Sequence, residues 1–360
     1  MMAVNSAQAL MSMEPATPTE PLRVPVHFLC LDSMIWDELR GDPELPLPKE
    51  GMRRHSGGDM GSWILLVYHW IRTYGNDFTI DPKISDDAVN IVGSRGFRCS
   101  YRTKPTFFLG CRADAHVQIM AKFVVYQNAQ YRPNRFAANV NHWPQAGMIP
   151  RDPARGTDVK VLSYMGTQQN LDSKFQSDTF RAALKKIGVA LGLRFKNKAT
   201  GAHSWQDYSN TDAVLAVRGQ STYMSGIKPS TKLANAWFAG APAFVGPEPA
   251  YLEIRESELD FIQAVSPEQV IAGLKMLEGK PELYKAMVEH GVGRTGPYTR
   301  AAITQSWATI INEAVFPEFK KWHARPFITK LPFMWASITL NPAMKALHEF
   351  RVKYGQRLLA

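Results

Sequence analysis

Lys228 and Lys232 in "KPSTKLANAWFAGAP" stand one turn apart at the start of a helical pattern. A helix N-terminus carries about half a positive charge and prefers acidic side chains, so each exposed lysine there is unfavourable by about 0.3–1 kcal/mol. An anion removes the conflict, because free backbone N–H groups, the dipole and both ammonium groups converge on it. Ser230 and Thr231 lie between the lysines and share that anion site. A diphosphate is the common small ligand of this kind. Two solvated lysines whose stems swing away from the helix end account for the same pattern. Pro229 suits the first helical turn. Gly240 and then Pro242 predict a stop after about three turns.

The helix runs into a short strand, "AFVG", through small residues that allow close packing on a sheet. The next loop, "GPEPAY", carries Gly246 and Glu248, and Arg218 ends the apolar run "DAVLAVR". Ligands of open α/β sheets sit outside the carboxyl ends of strands. Arg218, the lysine-bearing helix end and residues 246–248 are therefore expected to border one crevice.

This segment resembles the donor-binding segment of GT-B glycosyltransferases, closest to α-1,3-fucosyltransferase-like enzymes. In those, a Thr-Glu-Lys triplet opens the helix, and an Ala…Gly-x-x-Pro pattern leads to a strand closed by Gly. The likeness spans about residues 210–290. It implies two Rossmann-like domains with a cleft between them, a nucleotide-sugar donor, and a C-terminal helix that crosses back onto the first domain. Lys232 matches the family lysine, whereas Thr231 stands where the glutamate would be. The two glutamates of retaining enzymes would fall at Ile227 and Asn235, so a retaining pair is absent and inversion is expected. The ribose or sugar contact is left among Asn235, Gly246, Glu248 and Glu253.

An inverting transfer needs one base to take the acceptor proton. "RRHSGGDMGSW" places Gly57 and Gly58 before a helix start, a turn that can cradle phosphate or admit a sugar to the backbone. Asp59 and His55 are the candidate bases; Asp59 also fits a plain helix cap. Asp114 in "GCRADAH" is a third candidate, beside Arg112 and His116. No Asp-x-Asp motif, zinc-type histidine spacing or nucleophile elbow occurs, so transfer without metal or cofactor is expected.

The elements that must hold these residues read as α/β. Short apolar runs near residues 23–31, 106–114, 121–128, 159–166 and 212–218 alternate with helical segments, the pattern of a parallel sheet. The reading divides 360 residues into a leader (1–22), an acceptor domain (23–140), a Pro-rich linker (141–158), a nucleotide-sugar domain (159–325) and a helical tail (326–360). Net charge +10 implies an anionic partner. The cations are scattered, so nucleic acid is not signalled. The tail mixes aromatics, methionines and cations, which fits either core packing or a peripheral contact with an acidic membrane. Three cysteines without metal spacing fit a reducing, cytoplasmic compartment, with attachment at the inner membrane face left open. The expected activity is sugar transfer to a glycan or lipid-linked acceptor in polysaccharide biosynthesis. The alternative is a GT-B-like binding protein without catalysis.

Overall fold

The first apolar run forms strand β1 (Val26–Leu29), buried along its whole length. The computed structural model describes residues 20–30, 60–75, 78–97, 101, 105–116, 118–129, 134–197 and 204–355. A turn of π-helix at Gly61–Leu65 leads into helix α1 (Leu66–Ile71), which buries Leu66, Val67 and Ile71 as their spacing predicts. β2 (Phe78–Asp81), β3 (Val89–Gly93), β4 (Phe108–Cys111), β5 (Phe123–Tyr126) and β6 (Ala137–Asn139) complete a sheet ordered β2-β1-β3-β4-β5-β6. Every pairing in it is parallel. The central strands β1, β3, β4 and β5 are fully buried, as continuous apolar runs require when helices or other segments cover both faces.

The second sheet is built in the same order. β7 (Val161–Gly166), helix α2 (Asp178–Lys186), β8 (Ala190–Phe195) and β9 (Ala213–Ala216) come first. Helices α3 (Thr222–Ile227) and α4 (Thr231–Ala239), β10 (Ala243–Val245), helix α5 (Pro249–Leu252) and β11 (Ile262–Gln263) follow. The order is β11-β10-β9-β7-β8, all parallel. The chain leaves β7 toward β8, then crosses back to β9 on the other side. The sheet therefore has its topological switch point between β7 and β9, where α/β sheets take ligands. Residues 267–293 form two helices, α6 (Pro267–Gly279) and α7 (Pro281–Gly293), because Pro281 interrupts the ladder. Ser266 caps α6, its Oγ accepting from the Gln269 amide.

The last helices, α8 (Arg300–Thr309), α9 (Phe316–Ala324) and α10 (Phe327–Tyr354), belong to the N-terminal unit. Asn312 Oδ1 accepts from the Arg23 amide at 2.9 Å, Trp322 Nε1 donates to the Pro105 carbonyl at 2.7 Å, and Asn341 Oδ1 accepts from the Ile119 amide at 2.8 Å. The return onto the first unit thus starts near residue 300 rather than 326. Of the linker expected over 141–158, residues 142–158 group with the C-terminal unit. Arg151 is buried there and bonds Asp212, which also accepts from Arg155 and from the amides of Lys160 and Val161. One carboxylate with no exposed surface thereby ties this segment to the starts of β7 and β9.

Candidate functional site

The site residues of the C-terminal unit are carried by backbone at the carboxyl ends of β7, β9 and β10. Arg218 follows β9 and is 4% exposed. Its backbone N–H and its Nη1 both donate to Glu248, at 3.0 and 2.5 Å, and its Nη2 reaches the Pro229 carbonyl at 3.2 Å. Glu248 is the N-cap residue of α5, makes no side-chain bond to that helix, and is 1% exposed. Burial pushes its carboxyl above the ordinary value, and Arg218 opposes that through charge and hydrogen bonds. Gly246 makes the pairing feasible, since a Cβ there would stand 2.9 Å from Glu248 Oε1.

Lys228 and Lys232 do not share the first turn of one helix. Lys228 ends α3 in extended conformation before Pro229, as residues preceding proline do, and α4 starts only at Thr231. Ser230 is the N-cap residue of α4 but makes no side-chain cap bond to the helix; its hydroxyl meets Tyr298. The Thr231 hydroxyl is buried without a hydrogen-bond partner. Gly240 closes α4 in the left-handed conformation that the sequence predicts.

Lys232 turns from the first turn of α4 toward β7. Its Nζ donates to the Met165 carbonyl and lies 4.4 Å from the centre of the Tyr164 ring. A Cβ on Gly166 would sit 2.6 Å from Nζ and 2.7 Å from Tyr164 Oη, so any side chain there would displace the ammonium from this position at the strand end. Burial, then the Arg218 guanidinium, bring Lys232 down to about 7; Glu248 opposes them and Lys228 adds to them. An enclosed cation, an unpartnered hydroxyl and a helix N-terminus meet at the switch point. Such a constellation is chemically suited to an anion.

The other candidates are placed as follows. Asn235 is 5% exposed, and its Oδ1 accepts from the Gln145 amide at 3.0 Å, which fastens the segment after residue 142 to α4. That oxygen is engaged within the fold rather than turned to a ribose. Glu253 closes α5, part-buried. In the N-terminal unit, Asp114 lies part-buried in the turn after β4, next to Ala113 with φ 48°. Left-handed backbone is costly for a residue with a Cβ, and such strain gathers at functional turns. His55, Gly57, Gly58 and Asp59 lie outside the described residues. Tyr164, Met165 and Gly166 were not among the candidates. The glycine ending "VKVLSYMG" at a strand's carboxyl end was the one signal for them.

No protein-family model and no curated protein matches the chain. Solved structures do. A crystal structure of α1,3-fucosyltransferase with GDP aligns with 91% of this chain and 100% of its own, at TM-score 0.51 and 11% identity. TarM aligns at TM-score 0.47 and 10% identity, covering 70% of this chain and 58% of TarM, so the chain spans little more than half of that protein. Anabaena Alr3699/HepE in complex with UDP-glucose aligns at TM-score 0.41 and 8% identity, over 84% of this chain and 98% of its own. The likeness to the fucosyltransferase establishes the fold: two Rossmann-like units of the GT-B type, with the last helices returned to the first unit.

Proposed function

We propose that the chain is a glycosyltransferase that moves a sugar from a nucleotide-diphosphate sugar to a glycan or lipid-linked acceptor. The observation that carries this reading is the enclosed Lys232 ammonium beside the buried Thr231 hydroxyl, at the α4 N-terminus and the β7–β9 switch point. The shared fold with a fucosyltransferase crystallised with GDP supports it. Lys232, with Lys228 nearby, offsets the charge that grows on the departing diphosphate. Arg218 acts by position: its charge is taken by Glu248, and it braces the α3–α4 junction through Pro229. The acceptor proton goes to Asp59 or His55, with Asp114 as the further candidate, in an inverting transfer without metal. Among the described residues no helix is long and apolar enough to cross a membrane.

The test is a thermal-shift screen with GDP, UDP, CDP and dTDP and their sugars. A ligand at one hundred times its dissociation constant stabilises by about 2.7 kcal/mol. One diphosphate should do so in the native chain, and Lys232→Met should lose that shift while keeping any response to the free nucleoside. Equal losses for diphosphate and nucleoside would place the phosphate elsewhere. No shift with any diphosphate would overturn the assignment.

A further inference from the structure

The N-terminal unit holds a second cationic feature, on the opposite end of its sheet from the strand carboxyl ends. A cavity of about 450 Å³ opens where Lys122 precedes β5 and Phe136 precedes β6, between Trp322 of α9 and Phe333 of α10. The Lys122 ammonium is held between two aromatic faces, 3.7 Å from the centre of the Trp322 ring and 2.9 Å from that of Phe333. Arg325 and Lys330 approach the same indole at 5.9 and 5.3 Å. Three cations therefore crowd one ring. The lining carboxylate, Glu318, is already paired with Lys321 at 2.7 Å. Burial and then Arg325 lower the Lys122 ammonium to about 7.

Helix α10 starts at the rim of this cavity and presents two unlike faces. One packs on the unit through Phe333, Ser337 and Asn341. The other leaves Phe327, Ile328 and Trp335 exposed by 59%, 68% and 67%, with Ile338 beyond them at 41%. A soluble polyanion would account for the cations but not for these apolar side chains. An acidic bilayer accounts for both: cations gather at its surface potential while aromatic and aliphatic groups enter the headgroup region. The net charge of +10 has the matching sign.

We propose that the cavity at Lys122 and the outer face of the first turns of α10 form a docking surface for an acidic phospholipid membrane, with a lipid phosphate in the cavity. This surface is independent of the donor site, and its test needs no nucleotide.

Binding of the full chain to phosphatidylcholine vesicles, with and without phosphatidylglycerol, is measured by co-sedimentation. Binding is expected to the acidic vesicles alone. It should fall at least about tenfold in Lys321→Gln/Arg325→Gln, because each cation near an acidic surface contributes measurably, and comparably in Ile328→Ser/Trp335→Ser. All four side chains are exposed, so the variants should melt as the native chain does. Brominated lipid should quench native fluorescence more than that of Trp335→Phe. Equal binding to neutral vesicles, or native-like binding by either double variant, would overturn the proposal. So would a concentration-dependent dimer that the apolar double variant abolishes, since the face would then serve self-association. Displacement from vesicles by millimolar inorganic phosphate at constant ionic strength would assign the cavity to free phosphate instead of lipid.

Discussion

The Arg218 guanidinium meets the Glu248 carboxylate at 2.5 Å inside the C-terminal unit, with each residue less than one-twentieth exposed. The pair joins the end of β9 to the start of α5 and lets one cation brace the site without adding net charge to it. Breaking a buried pair by removing one partner typically costs about 3–5 kcal/mol, because the remaining charge is uncompensated. Glu248→Gln and Arg218→Met should each destabilise by that order in urea denaturation. Arg218→Met/Glu248→Leu should recover a large part of the loss. Additive losses in the double variant would show that the two residues act separately.

Lys232 titrates near 7 in the folded chain against an ordinary 10.5. Between those values the unfolded chain holds the extra proton, so stability rises with pH across the window; below about 7 the term is constant. A bound diphosphate favours the charged amine. Above pH 7 binding must then take up a proton, and affinity should fall by up to about tenfold per pH unit toward pH 9. Calorimetry in buffers of different ionisation enthalpy measures the uptake. Lys232→Met should abolish it, and an unchanged uptake in that variant would assign the proton to another group.

Asp212 is held by Arg151, Arg155 and two backbone amides. Burial alone would raise its carboxyl, but the hydrogen bonds from Arg155, Lys160 and Arg151 outweigh burial and keep it below the ordinary 3.8. Its stabilisation is full above the ordinary value and lost as pH falls through the lower, folded one. Asp212→Asn should destabilise by about 3–5 kcal/mol at neutral pH and flatten the acid limb of the stability curve. Limited proteolysis should spare residues 149–158 in the native chain and cut them in the variant. Early cutting of the native chain there would contradict the anchoring.

The proposed catalytic base is tested by Asp59→Asn, which keeps the side-chain shape and removes the charge. Loss of a general base typically lowers turnover about 10²–10⁴-fold. Donor affinity and melting temperature should hold while turnover drops at least about a hundredfold. Survival of activity in Asp59→Asn with collapse in His55→Ala would exchange their roles. Activity in both would move attention to Asp114 and its strained neighbour Ala113.

The sequence by itself determined the buried strands β1, β4, β5, β7 and β9, the stop of α4 at Gly240 and the basic character of residues 228–232. These follow from local rules, since apolar runs, capping residues and glycine act within a few positions of themselves. It did not reveal β2, β6 or β11, short edge strands whose partial exposure leaves no continuous apolar run. Helix α3 was hidden too: six residues, "TYMSGI", with a glycine and a serine, defined by the Ser221 cap and by burial. The return of residues 300–324 to the N-terminal unit was decided by contacts such as Asn312 with Arg23, 289 positions apart, which no local pattern encodes. The site divides in the same way. Lys232 was legible as a cation near a helix start. That its ammonium would be enclosed between Tyr164 and Met165, and that Glu248 would be claimed by Arg218, depended on which strand ends the parallel sheet sets side by side.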